Sequence, residues 1–386
     1  MELSEIIPQK DFVQDLHCGE CKKHLDLTFI NFHENVSGVD IKVNGLPMLR
    51  CESCERDHFP DRSRSYIIRL HKQATKLAAP GVQAGRKKLR RDFKLTHVPF
   101  IYDSDDYEYI PGLKRPWDDG FLTPVFFNRQ ALTKYEALPG YRVKFASTTY
   151  GEIASDTFSI AFGINKHGKL TMWLGDLAEL PESEQYYLKS ENVPSDHSIG
   201  SEFYDGQIDC VFTEPSKEDR LFAARSSFLD VCLTKFGTKL AHLDSEVLDL
   251  ARALNPPIID TEKERQHTSD ALNKIYIESF DNPALEKILE RLHIKPTGTG
   301  TLKRLQALLE GATSGVDVHT LLSPFYVLYD FRVASLHLIP EEKIAEKMKT
   351  ITDRLKLNAS AGLAEIYSAL IEGMLTFFNT LEEAMG

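Results

Sequence analysis

The spacing of apolar residues changes character along the chain. Near the start, apolar and polar positions alternate through Leu25-Asp26-Leu27-Thr28-Phe29-Ile30 and Val39-Asp40-Ile41-Lys42-Val43. A period of two is the mark of strands, and Asn44-Gly45 reads as a turn after them. The period of two returns between Val98 and Glu214. Phe158, Ile160, Phe162 and Ile164 alternate with small or polar residues, and Leu170, Met172 and Leu174 do so again after Asn165-Lys166-His167-Gly168. This predicts a hairpin. Beyond Ser216 the period lengthens to 3.6. It predicts helices over 217–235 and over 239–254, the latter stopped by Asn255-Pro256-Pro257. Further stripes run through Leu285–Leu292, Leu302–Leu309 and Leu363–Leu381, and two more helices begin at Ser323-Pro324 and Ile339-Pro340. Such short connections favour antiparallel neighbours in a bundle.

The chain has 386 residues, enough for two or three domains. Its 42% hydrophobic content exceeds that of a disordered chain. No apolar run approaches the ~20 residues of a membrane span, and the N-terminus lacks the apolar core of a signal peptide. A soluble, cytoplasmic protein without a membrane partner is expected. The net charge of −11 is unevenly spread. Residues 1–94 hold 17 Lys and Arg against 13 Asp and Glu, and the rest hold 29 against 44. A basic head thus precedes an acidic body, so any nucleic-acid surface is expected in the head.

Two C-x-x-C pairs, Cys18-Gly19-Glu20-Cys21 and Cys51-Glu52-Ser53-Cys54, lie in that head. Two such knuckles supply four thiolates to one tetrahedral ion, which suits structural Zn2+. Four thiolates leave no position for water, so this metal is expected to staple rather than catalyse. His17, His24 and His58 lie close by, but the four-cysteine set does not need them. The arrangement resembles a zinc ribbon. Val43–Arg50, leading into the second knuckle, resembles the zinc fingers of bacterial antitoxins. Cys210, in the strand-like run Ile208–Phe212, and Cys232, on a helical stripe, read as core residues.

Arg86-Lys87-Lys88-Leu89-Arg90-Arg91 follows Pro80, Gly81 and Gly85 and reads as a basic linker. Arg86, Lys87, Lys88, Arg90 and Arg91 are its candidate phosphate contacts, with a solvated linker as the alternative. Asp103, Asp105, Asp106 and Glu108 form an acidic cluster, and Asp118-Asp119-Gly120 a second. Both suit turns and loops better than a Mg2+ site. Asp196-His197 has the residue types for acid–base work and equally the composition of a plain turn.

The remaining candidate is Arg332-Val333-Ala334-Ser335-Leu336-His337. This R-x4-H in a late helix of a bundle resembles the motif of HEPN-domain proteins (higher eukaryotes and prokaryotes nucleotide-binding domain). The resemblance implies a metal-independent endoribonuclease of the defence or toxin type, usually dimeric, and covers 120–170 residues. An arginine can grip the scissile phosphate, and an imidazole can move the proton of the 2′-hydroxyl. Asp330 is placed to orient either residue. On an unbroken helix a separation of five turns the two side chains ~140° apart, so the helix must end near His337 or a second copy must complete the cleft. The alternative is a helix-surface ion pair for Arg332, with Asp330 or Glu341, and a helix cap for His337.

The expectation is therefore a multidomain α+β chain. It comprises a zinc ribbon (1–78), a basic linker (79–97), a β-rich middle domain (98–215) and an α-helical, HEPN-like bundle (216–386). Its expected partners are RNA, a second copy of the chain, and an antitoxin or trigger protein. The rival expectation is a non-catalytic, zinc-dependent nucleic-acid- or protein-binding protein whose helical domain dimerises.

Overall fold

Alternation in the head builds a long antiparallel hairpin, β1 (Asp26–Val36) on β2 (Val39–Arg50). The computed structural model describes residues 1–7, 14–86, 88–211 and 213–385. They divide into two units, Met1–Glu214 and Pro215–Gly386. Residues 1–78, 79–97 and 98–214 thus share one unit. The architecture is mixed α+β, with a helical C-terminal region and a cysteine cluster near the N-terminus.

Asn44-Gly45 is not a turn but lies within β2. The chain reverses at Ser37-Gly38, both at positive φ (42° and 87°). Gly45, at φ 71°, sits inside β2 where the register slips between Ile30 and Phe32. Its N–H donates to Asn31 Oδ1 at 3.2 Å. A glycine at positive φ serves a β-bulge as readily as a turn, and a two-residue motif does not distinguish them. β3 (Asp57–His58) pairs antiparallel with the end of β2. β4 (Gly81–Gly85) pairs parallel with Asp40–Asn44, so part of the expected linker is a strand. A Cβ on Gly81 would lie 2.8 Å from the Asp40 carbonyl oxygen, so glycine permits this approach. The helix Asp61–Lys76 buries Ser63, Ile67, Leu70 and Ala74, one helical face. Ile67, Leu70 and Ala74 pack with Ile41, Val43, Leu46 and Met48.

The second sheet of this unit contains β5 (Pro124–Phe127), β6 (Tyr141–Phe145), β7 (Tyr150–Ser155), β8 (Ser159–Ile164), β9 (Leu170–Trp173) and β10 (Asn192–Val193). Its spatial order is β10-β5-β9-β8-β7-β6, antiparallel throughout. The expected β8–β9 hairpin is present, closed by Gly168 at φ 77°. Every residue of β5 and β9 is buried. The run containing Cys210 is not a strand. Asp205–Asp209 forms one π-helical turn, and Cys210 follows it exposed, at φ 55°. Phe212 lies outside the described residues.

The second unit contains the helices Lys217–Phe236, Asp244–Arg252, Glu262–Asn273, Asn282–Arg291, Thr301–Ala312, Val318–Leu321, Ser323–Leu336, Glu341–Arg354 and Leu363–Met385. The helix expected over 239–254 starts later, because Leu240 and Ala241 are buried ahead of it and Leu243 stands at φ 54°. Glu262–Asn273 was not legible as a stripe, being mostly polar. Its signal is the cap, Thr261 accepting from the Glu264 N–H at 3.2 Å. Cys232 is buried as expected. Phe228, Phe325, Phe377 and Phe378 meet in the core, with ring centroids 4.6 to 6.0 Å apart. Among the described residues no helix is long and apolar enough to cross a membrane.

Phe378 is fully buried and touches three of these rings. Phe378→Ala is expected to cost about 3–5 kcal/mol. Urea unfolding followed by circular dichroism should show the helical transition moving to lower denaturant.

Candidate functional site

The two cysteine knuckles have the same local build. Cys18 N–H donates to Lys23 O at 2.8 Å, and Cys51 N–H to Arg56 O at 2.9 Å. The fourth residue after each of these cysteines, Lys22 and Glu55, has a positive φ (59° and 57°). The folded-back loops bring four sulfurs together. Cys18–Cys54, Cys21–Cys51 and Cys21–Cys54 Sγ separations are 3.5, 3.3 and 4.0 Å. Four thiolates at 2.3 Å from a tetrahedral ion stand ~3.8 Å apart, whereas a disulfide needs ~2.0 Å. All four cysteines are free, and the cluster is compatible with a metal ion. The N–H groups of Cys21 and Glu20 pull the Cys18 thiol down to about 5, toward the thiolate a metal needs.

The basic run is met by the acidic cluster. Asp103 caps the short helix Ser104–Tyr109, on which Asp105, Asp106 and Glu108 are buried. Arg86 pairs with Asp105 and lies 3.8 Å from the centroid of the Phe29 ring. Lys88 pairs with Asp103 at 2.8 Å. Glu108 takes Arg62, Arg91 at 3.0 Å and Lys114 at 2.8 Å, while Asp119 also holds Arg91 at 2.9 Å. Arg90 is exposed, and Lys87 lies outside the described residues. Three of the five expected phosphate contacts therefore have carboxylate partners, and the acidic cluster is a set of buried ion pairs rather than a solvated turn.

Two arginines of this network, with Arg69, also line a cleft beside it. The cleft, of about 530 Å3, is lined by Arg62, Arg69, Arg86, Tyr66 and Tyr109. Arg69 lies over Tyr66 and Arg62 over Tyr109, at 5.1 and 5.7 Å from the ring centroids. Arg62 and Arg69 carried no sequence signal beyond their spacing along one helix.

Asp196 and His197, adjacent in sequence, have separate partners. Asp196 holds His167 at 3.0 Å and Lys169 at 3.2 Å. His197 Nδ1 lies 2.6 Å from buried Asp106, which also accepts from Ser195 Oγ at 2.6 Å. Burial pushes the Asp106 carboxyl up, against the pull of His197 and Ser195. Burial pushes His197 down, but Asp106 outweighs it and the imidazole stands above its usual value.

In the second unit the helix carrying Arg332 ends at Leu336, and His337 follows in extended backbone (φ −93°, ψ 141°). Arg332 does not pair with Asp330 or Glu341. Its Nε lies 3.6 Å from Asp270 and an Nη 3.5 Å from Glu278, both on the helical segment that the apolar pattern did not reveal. Asp330 faces away from that role, held by Lys347 at 2.8 Å and Arg354 at 3.6 Å. His337 is exposed. Its neighbours Leu336 and Leu338, and Tyr329 on the same helix, are exposed apolar side chains.

Comparison with family models, with curated proteins and with solved structures finds no match. The site must be read from its own chemistry.

Removing Glu108 leaves Arg62, Arg91 and Lys114 facing one another with less compensation. Glu108→Ala is expected to destabilise the first unit by about 3–5 kcal/mol, measured by urea unfolding. A second expectation concerns pH. A histidine raised in the folded state adds stability that is complete below its unfolded value of ~6.5 and is lost as pH rises through its folded value. The urea midpoint of the wild type should fall across that window, and His197→Gln should flatten the decline.

Proposed function

We propose that the chain is a metal-independent endoribonuclease of the defence or toxin type, acting in the cytoplasm, with Arg332 and His337 at its active site. The observation that carries this reading is the end of the helix at Leu336. The 140° separation of an unbroken helix does not apply to a histidine that has left the helix. Arg332 has ion-pair contacts of 3.5 and 3.6 Å, longer than hydrogen bonds, so these two carboxylates do not use up its hydrogen-bonding capacity. His337 then moves the proton of the 2′-hydroxyl or of the leaving oxygen. Asp270 and Glu278, rather than Asp330, orient the arginine. The helical region is HEPN-like in this reading. The exposed Tyr329, Leu336 and Leu338 support a homodimer that encloses the cleft. The four cysteines hold a structural Zn2+ in a zinc ribbon, and the cleft of Arg62, Arg69 and Arg86 supplies RNA contacts. An antitoxin or trigger protein would act on this assembly.

A second reading rests on the same two carboxylates. Asp270 and Glu278 beside Arg332 repel a phosphate, which favours a non-catalytic nucleic-acid- or protein-binding protein with a dimerising helical domain.

Purified full-length protein and its His337→Ala variant, incubated with total RNA without added divalent metal, separate the two. The ribonuclease reading expects cleavage by the wild type and a 10²–10⁴-fold loss in the variant, with the fold intact by circular dichroism. RNA binding without cleavage, or full activity in the variant, overturns it.

A further inference from the structure

His17 and His24 flank the first cysteine knuckle, and the knuckle's own geometry pairs them. The two residues form an antiparallel bridge across its base, with ring centroids 4.6 Å apart. Both rings turn from the cysteines toward the π-helical turn Asp205–Asp209. His24 Nε2 lies 2.9 Å and His17 Nε2 3.3 Å from the same Asp205 oxygen, Oδ1. Among the described residues only two groups bring metal-donor atoms within 4.8 Å of one another, and this is the one besides the cysteines.

We propose that His17, His24 and Asp205 form a second metal site, for a divalent transition-metal ion, separate from the four-cysteine cluster. The donor chemistry is two imidazole nitrogens and one carboxylate, the set that suits Zn2+, Fe2+ or Co2+ rather than Mg2+ or Ca2+. Ligands ~2.1 Å from a tetrahedral ion stand ~3.4 Å apart, close to the distances seen here. Three protein ligands leave at least one position for water or a substrate oxygen, unlike the closed cysteine set.

Two further features point to a ligand. The other nitrogen of His17, Nδ1, lies 3.8 Å from the Asp209 carboxylate. At that distance Asp209 is not a hydrogen-bond partner, but a second carboxylate beside the site adds negative charge that favours a cation there. Asp205 and Asp209 are four apart on the same π turn, so a single local irregularity presents both carboxylates to the two histidines. Gly200 also leaves the room that His24 occupies, since a Cβ there would lie 2.3 Å from His24 Cβ. The side chains of His17, His24 and Asp205 are 25%, 30% and 14% exposed, so an ion can enter from solvent.

This inference does not depend on the ribonuclease reading, and its test reads no activity. Full-length protein is equilibrated with zinc sulfate, passed into metal-free buffer by gel filtration, and assayed for zinc by mass spectrometry. The expected content is two zinc ions per chain in the wild type and one in His24→Ala and in Asp205→Asn. Cobalt(II) titration of the wild type separates the sites without relying on any variant. Thiolate-to-cobalt charge transfer reports the cysteine cluster alone, so a second equivalent must add visible ligand-field absorption without it. Asp205→Asn, which keeps the shape of the side chain, should lose that second equivalent and retain the charge-transfer band. One equivalent in the wild type, carrying the charge-transfer band, overturns the second site. So does a second equivalent that Asp205→Asn leaves in place. Absence of the charge-transfer band with the ligand-field equivalent present would instead overturn metal binding by the cysteines and support the second site.

Discussion

The first unit is organised by the need to neutralise three buried carboxylates on six residues. Asp105, Asp106 and Glu108 are removed from water on one short helix. An ionised carboxylate in such a place costs several kcal/mol unless cations and hydrogen bonds surround it. Those cations come from distant parts of the chain: Arg62 from the first long helix, Arg86 and Arg91 from the basic run, Lys114 from beyond the acidic helix, and His197 from the loop after β10. The demand for charge balance therefore ties residue 62 to 108 and 106 to 197 within one unit. It also explains why the basic run does not act as a freely solvated linker: leaving Asp105 and Glu108 without Arg86 and Arg91 would cost more than the solvation those arginines would regain.

What the sequence made legible follows from whether a signal is local. The cysteine knuckles need only their own spacing and two short turns, and they assemble as the spacing implies. The β8–β9 hairpin and the amphipathic helices rest on periodicity, which is local too. The elements that depart from their local pattern share one cause, that such a pattern has more than one use. Asn44-Gly45 satisfies a bulge as well as a turn, and Gly81–Gly85 forms a strand because β2 accepts it. Ile208–Phe212 alternates like a strand, yet the Asp205–Asp209 turn leaves Cys210 at its end in solvent. The helix Glu262–Asn273 has few apolar positions to mark it, although it carries Asp270, and the turn after it Glu278. The partners of Arg332 were hidden for the same reason that their helix was.

The pairing of charges across long sequence distances was not legible at all. By local composition a basic run suits a phosphate surface or a solvated linker, and an acidic cluster twelve residues on suits turns and loops. Their mutual neutralisation is a tertiary fact, set by which groups burial forces together. The same holds for His17 and His24. Sequence spacing placed them beside the cysteines as spare ligands, but the knuckle turns them toward a carboxylate 181 residues beyond His24.

This bears on how an acidic chain can meet an anionic partner. A net charge of −11 repels nucleic acid at long range, but within ~10 Å at ordinary ionic strength the local arrangement dominates. In the first unit the strongest positive candidates, Arg86 and Arg91, already face carboxylates. On the reading proposed above, RNA would be met by the cleft where Arg62, Arg69 and Arg86 stand among tyrosines and by the exposed Arg90. Arg62 and Arg86 each carry one carboxylate, so their contribution there is partial, while Arg69 contributes a whole charge over an aromatic ring. Such a surface favours stacking and short-range contacts over long-range attraction, and the affinity it confers should be less steeply dependent on salt than that of a bare basic run. On that reading, the RNA suited to this cleft is one with exposed bases rather than a uniform duplex backbone.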